Sequence, residues 1–347
     1  MKEKKYFALY KAVKEQIESG EYKNGEKLPS KRVMADKTGF SVITVERAYE
    51  LLTEEGYIVS KEKSGYFVQG VEGFQKSEKS RTPFYYLPEL QEQPETDFEY
   101  SVWFKTVRKV LSEQGGKLFI KSPNKGVSVL RNAISDYLYR YRGMHAEPSS
   151  IIIGSGAEQL YETVVKILGR ELVYGIENPS YPQIEAVYSM AGVKIQKLNM
   201  GKDGIETSAL KQGDMDVLHV TPFKSYPTNV TTSIQKRYAY LKWAEAGNRY
   251  VVEDDFNSEF FMPGQPIQSL FALDKNENVI YINTFSKSLS PAMRMGYMIL
   301  PQRLMEEYDR ILSKFSCSVP VLDQYVLAEF IKSGNFERHL NRMRRKL

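Results

Sequence analysis

The sequence predicts an α/β protein in two parts: a small helical module with a β-hairpin wing, then a mostly parallel sheet with helices on both faces. Three observations predict it. The first seventy residues carry short helical periods divided by glycine turns. Residues 70–97 have no periodicity. From Phe98 onward, apolar strand runs alternate with helical runs, the pattern of a covered parallel sheet.

The composition sets bounds on this reading. A chain of 347 residues is long enough for two domains, and 42% hydrophobic with 26% charged residues excludes both disorder and a disulfide scaffold. The single Cys317 cannot form an intrachain disulfide, and with three scattered histidines no structural metal site is expected. The N-terminus lacks an apolar leader core and no run approaches the roughly 18–20 apolar residues of a membrane span, so the expected compartment is the cytoplasm. The net charge is +5, but residues 1–70 hold thirteen Lys and Arg against eleven Asp and Glu. Any nucleic-acid contact must therefore come from local placement of charge.

Residues 1–70 form the expected first domain. Leu9, Val13 and Ile17 recur on one face of a helix ending at Gly20. Ser30 can cap a second helix, KRVMADK, which stops at Gly39, and Ser41 can cap a third with a buried stripe of Val45, Ala48 and Leu52. Two short helices across a glycine turn make a helix-turn-helix, and YIV and YFV around SKEKSG make the wing. Ser41, Thr44 and Arg47 lie off the apolar stripe near the start of the third helix, where a recognition helix reads a major groove. Arg32, Lys61 and Lys63 suit phosphates of double-stranded DNA. Pattern alone leaves a small protein-binding module as the alternative.

Residues 71–97 read as a linker, with Phe84-Tyr85-Tyr86 as a docking patch. Residues 98–347 read as the sheet domain, with strands in IIIG, LVYGI, DVLHV, RYVVEDD, VIYIN and GYMIL. Ligands of such sheets gather beyond the carboxyl ends of the strands. There lie Ser155-Gly156-Ala157 opening a helix, Asp254-Asp255, and Thr284, Lys287 and Arg294 in TFSKSLSPAMR. A glycine turn before a helix is often only a turn, and strand-end carboxylates are often solvated. Together, however, a lysine amine for an aldehyde, an aspartate for a pyridine nitrogen, and an arginine and hydroxyl for a phosphate describe a pyridoxal 5'-phosphate site.

The run GEKLPSKRVMADKTGFSVITVERAYELLTEEGYIVSKEKSGYFV resembles the winged helix-turn-helix of GntR-type regulators. Residues from about 98 onward resemble the fold type I aminotransferase domain of MocR-type regulators, in SPNKGVSVLRNAISDYL, IIIGSGAEQLYETVVKIL, ENPSYP, HVTPFKSYPTNV, VVEDDFNSEF and TFSKSLSPAMRMGY. The resemblance implies that Lys287 is the Schiff-base lysine, that Asp254 meets the pyridine nitrogen and that Tyr181 stacks on the ring. It also implies that Gly156, Ala157, Thr284 and Arg294 hold the phosphate.

The chain departs from the family pattern at several positions. Val42 stands where arginine is common, Ala157 where threonine is common, and Phe256 where a tyrosine hydroxyl is usual. Phe223-Lys224-Ser225 replaces Ser-His-Gln, and Asn229 replaces a glycine. Relatives continue past HLNRMRRKL into a C-terminal subdomain carrying a carboxylate-clamping arginine, so the part seen here is expected to turn over slowly or not at all. Arg338, Arg342, Arg344, Arg345 and Lys346 read as the solvated face of a helix. The resulting expectation is a dimeric DNA-binding transcription regulator whose aminotransferase-like domain binds pyridoxal phosphate and an amino-acid or amine effector. The alternatives are a working aminotransferase with a DNA-binding appendage and a cofactor-free dimerising scaffold.

Overall fold

Leu9, Val13 and Ile17 line one face of α1 (Lys5–Glu18), and all three are buried. The computed structural model describes residues 5–61, 64–69, 98–260 and 268–345. The chain divides into two units, Met1–Gln93 and Pro94–Leu347.

In the first unit, α2 (Lys31–Thr38) begins at Ser30, whose side chain accepts the Val33 N–H, and ends at Gly39 in the left-handed conformation. The Ser41 hydroxyl accepts the Thr44 N–H at 3.2 Å to start α3 (Val42–Glu54). Val45, Ala48 and Leu52 are fully buried, joined by Tyr49, whose hydroxyl donates to the Pro29 carbonyl at 2.9 Å. These residues share one core with α1 and α2. The wing is the antiparallel pair β1 (Ile58–Lys61) and β2 (Gly65–Val68), with Ile58 opposite Val68 and Lys61 opposite Gly65. Lys63, the 71–97 segment with Phe84-Tyr85-Tyr86, and Lys346 lie outside the described residues.

The second unit opens with α4 (Tyr100–Gln114) and α5 (Ser128–Arg142), then alternates strand and helix. In order come β3 (Ile151–Gly154), α6 (Ala157–Leu168), β4 (Val173–Asn178), α7 (Pro182–Ala191), β5 (Lys194–Gly201), β6 (Gly204–Ile205) and α8 (Thr207–Gln212). They are followed by β7 (Val217–Val220), α9 (Ile234–Gly247), β8 (Tyr250–Asp254), α10 (Leu270–Leu273), β9 (Val279–Thr284) and β10 (Gly296–Ile299). The chain closes with α11 (Met305–Leu312), α12 (Val321–Lys332) and α13 (Asn335–Arg344).

One sheet joins the strands of this unit in the order β3-β10-β9-β8-β7-β4-β5-β6. The pairs from β9 through β8, β7 and β4 to β5 are parallel. β10 runs antiparallel to both β3 and β9, and β6 runs antiparallel to β5. Alternate residues feed opposite faces, as strand geometry requires. Ile151, Ile153, Tyr281 and Tyr297 join α5 and α12, whereas Ile152, Ile280, Ile282 and Met298 join α6 and α7. Helices thus cover both faces, and the polar strand ends are left as the place for a site.

The C-terminal arginines differ from expectation. Arg342 pairs with Glu99 at 2.9 Å, Arg338 donates to the Ser333 carbonyl at 2.8 Å, and Arg344 donates to the Glu259 carbonyl at 2.6 Å. Arg344 packs back onto this unit because the buried carbonyl of Glu259, beyond β8, needs a donor. Among the described residues of the set, Arg338 and Arg345 keep the predicted exposure, whereas Arg342 and Arg344 are half-buried.

Candidate functional site

A cavity of about 360 Å³ opens beyond the carboxyl ends of β3, β8 and β9. Its lining includes Ala157, Tyr181, Asp254, Thr284, Lys287 and Arg294. Gly156 completes the set at the start of α6. It has φ 106°, and a Cβ there would lie 3.0 Å from Arg294 Nη2, so only glycine lets the guanidinium approach without displacement. Residues 138 positions apart in sequence therefore meet because β3 and β9 flank the same strand, β10.

Asp254 ends β8 with its side chain buried. Tyr161 of α6 donates to Oδ2, and His219 Nε2 lies 3.8 Å from the same oxygen. His219 is in turn fixed by Tyr188, whose hydroxyl is 2.7 Å from Nδ1. Burial and the Asp254 carboxylate push the Tyr161 hydroxyl well above its ordinary range, so it stays a donor. Asp254 Oδ1 is buried yet meets no partner among the described residues. An unpaired buried acceptor at a cavity wall is costly unless a ligand donates to it.

Lys287 follows β9 and donates to the Asn257 side-chain oxygen, which is anchored because Asn257 Nδ2 donates to the Lys224 carbonyl at 3.1 Å. The Phe256 and Phe260 rings lie 5.5 and 5.3 Å from its ammonium. The side chain reaches solvent through the cavity, but partial desolvation and repulsion by Lys224 lower its pKa and enrich the nucleophilic amine. The loop is braced from behind by His339 of α13, whose Nε2 is 2.9 Å from the Ser288 carbonyl.

Arg294 follows the short turn Pro291–Met293 in the left-handed conformation, and its Nη2 is 2.8 Å from Glu158 Oε2. Glu158 occupies the first turn of α6, where unpaired N–H groups and the helix dipole favour an anion. Arginine and helix start thus share an anion position that the chain's own carboxylate addresses. Tyr181 precedes α7 and meets Tyr226 edge-on with centroids 6.0 Å apart. The Tyr226 loop holds Asn229 at φ 59°, the left-handed conformation a glycine would take. Ser225 donates to buried Glu177 at 2.6 Å, and burial raises that carboxyl to about 8.

The sequence reading did not single out Tyr161, His219, Asn257 or Glu158. His219 had a signal, as the one polar residue within the apolar strand VLHV. Tyr161 had none, since it continues an apolar helix face.

In the first unit, Arg32, Ser41, Arg47 and Lys61 are exposed and Thr44 is half-buried. Arg47 carries a surface pair with Glu50 at 2.8 Å, and the Lys61 ammonium sits 4.8 Å from the Phe67 ring.

Residues 5–68 match the family described as bacterial regulatory proteins, gntR family, and residues 94–347 match aminotransferase class I and II. An uncharacterized HTH-type transcriptional regulator, YdeL of Bacillus subtilis, is 35% identical over 98% of this chain and 76% of its own length. The pyridoxine biosynthesis regulator PdxR of Corynebacterium glutamicum is 30% identical over 92% and 71%, and the probable rhizopine catabolism regulatory protein MocR of Rhizobium meliloti is 27% identical over 97% and 73%. Among solved structures, an archaeal alanine:glyoxylate aminotransferase aligns with TM-score 0.64 at 24% identity, over 70% of this chain and 62% of its own. Pyrococcus horikoshii kynurenine aminotransferase aligns with TM-score 0.65 at 23% identity, over 72% and 64%. These two likenesses show the fold of the second unit, and the chain spans less than two thirds of either enzyme. With a helix-turn-helix at one end, an aminotransferase-type sheet at the other and regulators aligned along nearly its whole length, the chain belongs to the MocR-type branch of the GntR transcription regulators.

Proposed function

We propose that this regulator uses its second unit as a pyridoxal 5'-phosphate-dependent sensor of an amino compound and its first unit to bind double-stranded DNA as a homodimer in the cytoplasm. The observation that carries the cofactor reading is Asp254 Oδ1, a buried acceptor without a partner among the described residues, on the wall that also presents Lys287 and Arg294. A protonated pyridine nitrogen is a donor suited to that oxygen, so the residues fit the group. When bound, the cofactor supplies an electrophilic aldehyde and an electron-withdrawing ring.

The chain's residues then divide the work. Lys287 offers the amine, kept nucleophilic by desolvation and by Lys224. Asp254, held by Tyr161 and His219, would accept from the ring nitrogen. Gly156, Ala157, Thr284 and Arg294 would hold the phosphate, and Tyr181 would cover the ring. Phe256 sets a phenyl ring, not a phenol, 5.5 Å from the Lys287 ammonium, which favours binding over proton shuttling. An amine effector that competes with Lys287 shifts the sheet domain between two states, and differential affinity for those states is what regulation requires. On the DNA side, Ser41, Thr44 and Arg47 face bases, while Arg32, Lys61 and Lys63 face phosphates.

The test is reduction of the cofactor-treated protein with borohydride, followed by peptide mapping. Attachment should map to Lys287 and vanish in Lys287→Ala, while Asp254→Ala should keep attachment but release unreduced cofactor faster. Attachment at another lysine would sink the assignment. The aminotransferase fold favours a second reading, amino-group transfer to a keto acid; steady multiple turnovers absent from Lys287→Ala would promote it.

A further inference from the structure

The start of α3 presents two aliphatic side chains where helix physics does not ask for them. Ile43 is 77% exposed and its neighbour Val42 is 43% exposed, although the stripe that holds α3 to its unit, Val45, Ala48 and Leu52, is complete without them. The first turn of a helix favours acidic and capping residues, and β-branched aliphatics gain nothing there. The polar groups around them are already engaged. Ser41 Oγ accepts the Thr44 N–H and lies 2.8 Å from Thr44 Oγ1, Lys31 pairs with Glu46, and Arg47 pairs with Glu50. The leading edge of the second helix of the helix-turn-helix is therefore apolar.

In the major groove the base edges are polar except for the C5-methyl group of thymine, which only an apolar side chain can reward. We propose that Ile43, supported by Val42, is a specificity-determining residue that reads thymine methyl groups, so that each half-site carries thymine under the start of α3. This rests on the reading that α3 enters the major groove. It adds an aliphatic contact at positions 42 and 43 to the polar contacts proposed for Ser41, Thr44 and Arg47.

The experiment selects duplexes from a random-sequence pool with the full chain, then replaces each thymine of the enriched duplex with deoxyuridine, which lacks only the methyl. One or two positions per half-site should lose about threefold to fivefold in affinity on replacement, the worth of one buried methyl. Ile43→Ala should bind the thymine duplex as weakly as the parent binds the deoxyuridine duplex, and should no longer distinguish the two. Because Ile43 is exposed, its truncation should leave the melting temperature of the first unit unchanged. Enrichment with no deoxyuridine effect, or an effect that persists undiminished in Ile43→Ala, overturns the thymine reading alone. A pool with no enriched sequence overturns the major-groove reading and this one with it.

Discussion

Glu158 is the residue that most directly sets the strength of the anion position. Its carboxylate and the Arg294 guanidinium are 2.8 Å apart but both substantially exposed, so their attraction is worth roughly 0.2–1 kcal/mol. A phosphate that replaces the carboxylate must first displace it. Glu158→Gln should therefore raise affinity for inorganic phosphate and for pyridoxal phosphate by up to about fivefold, measured by calorimetry. A fall in affinity would mean that the carboxylate helps to orient Arg294 instead. Glu177 makes a second residue-scale prediction. Its carboxyl titrates from 4.5 in the open chain and near 8 when buried, so the folded protein keeps a proton the unfolded chain has released. That contribution is complete below about 4.5 and is lost as pH rises through 8. Glu177→Gln can still accept the Thr221 N–H, and it should flatten the decline in melting temperature between pH 7 and 9, by the equivalent of about 1–2 kcal/mol. An unchanged slope would assign the decline to other groups.

Elements differ in how plainly their sequences announce them. The caps of α2 and α3, the stripe of α3 and the strands IIIG, DVLHV and VIYIN follow from residue type and period, and the structure has them where the pattern puts them. β5 was not legible. Between α7 and β6 it exposes Lys194, Lys197 and Asn199 and fully buries only Leu198, so the run KIQKLNMG lacks the apolar density of its neighbours. The site shows the same division. Side chains whose chemistry is distinctive, Lys287, Asp254 and Arg294, could be picked out from strand-end loops, whereas Tyr161 and His219 act only through a contact that tertiary packing creates. Within the first unit, Ser41→Ala should cost about 1 kcal/mol by removing the α3 cap, and Leu52→Ala about 2–5 kcal/mol by opening its core, both read by chemical denaturation. Equal effects would show that the cap bears on packing as well. Arg47→Ala should reduce discrimination between specific and random DNA, while Lys61→Ala should weaken both alike and lower the salt dependence. Identical salt slopes for the two variants would make Arg47 a phosphate contact.

At the scale of the whole molecule, each unit has its own buried core. Calorimetry should resolve two transitions, and pyridoxal phosphate at about one hundred times its dissociation constant should raise only the one belonging to the second unit, by roughly 2.7 kcal/mol. A shift of both would show that the units melt together.

The strand order has a consequence for synthesis. Among the described strands of the sheet, β3 is the first to leave the ribosome, yet it pairs only with β10, the last of them. At about 5–20 residues per second, the roughly 140 residues between them keep the run Ile151-Ile152-Ile153 without its ladder for roughly 7–28 seconds. An apolar strand waiting that long is a template for pairing between neighbouring chains. Nascent chains halted before Gly296 should be captured by chaperones and cleaved readily near β3, whereas chains released just beyond Leu300 should resist protease there. The pairing of β10 with β3 is thus the step that ends this unpaired interval.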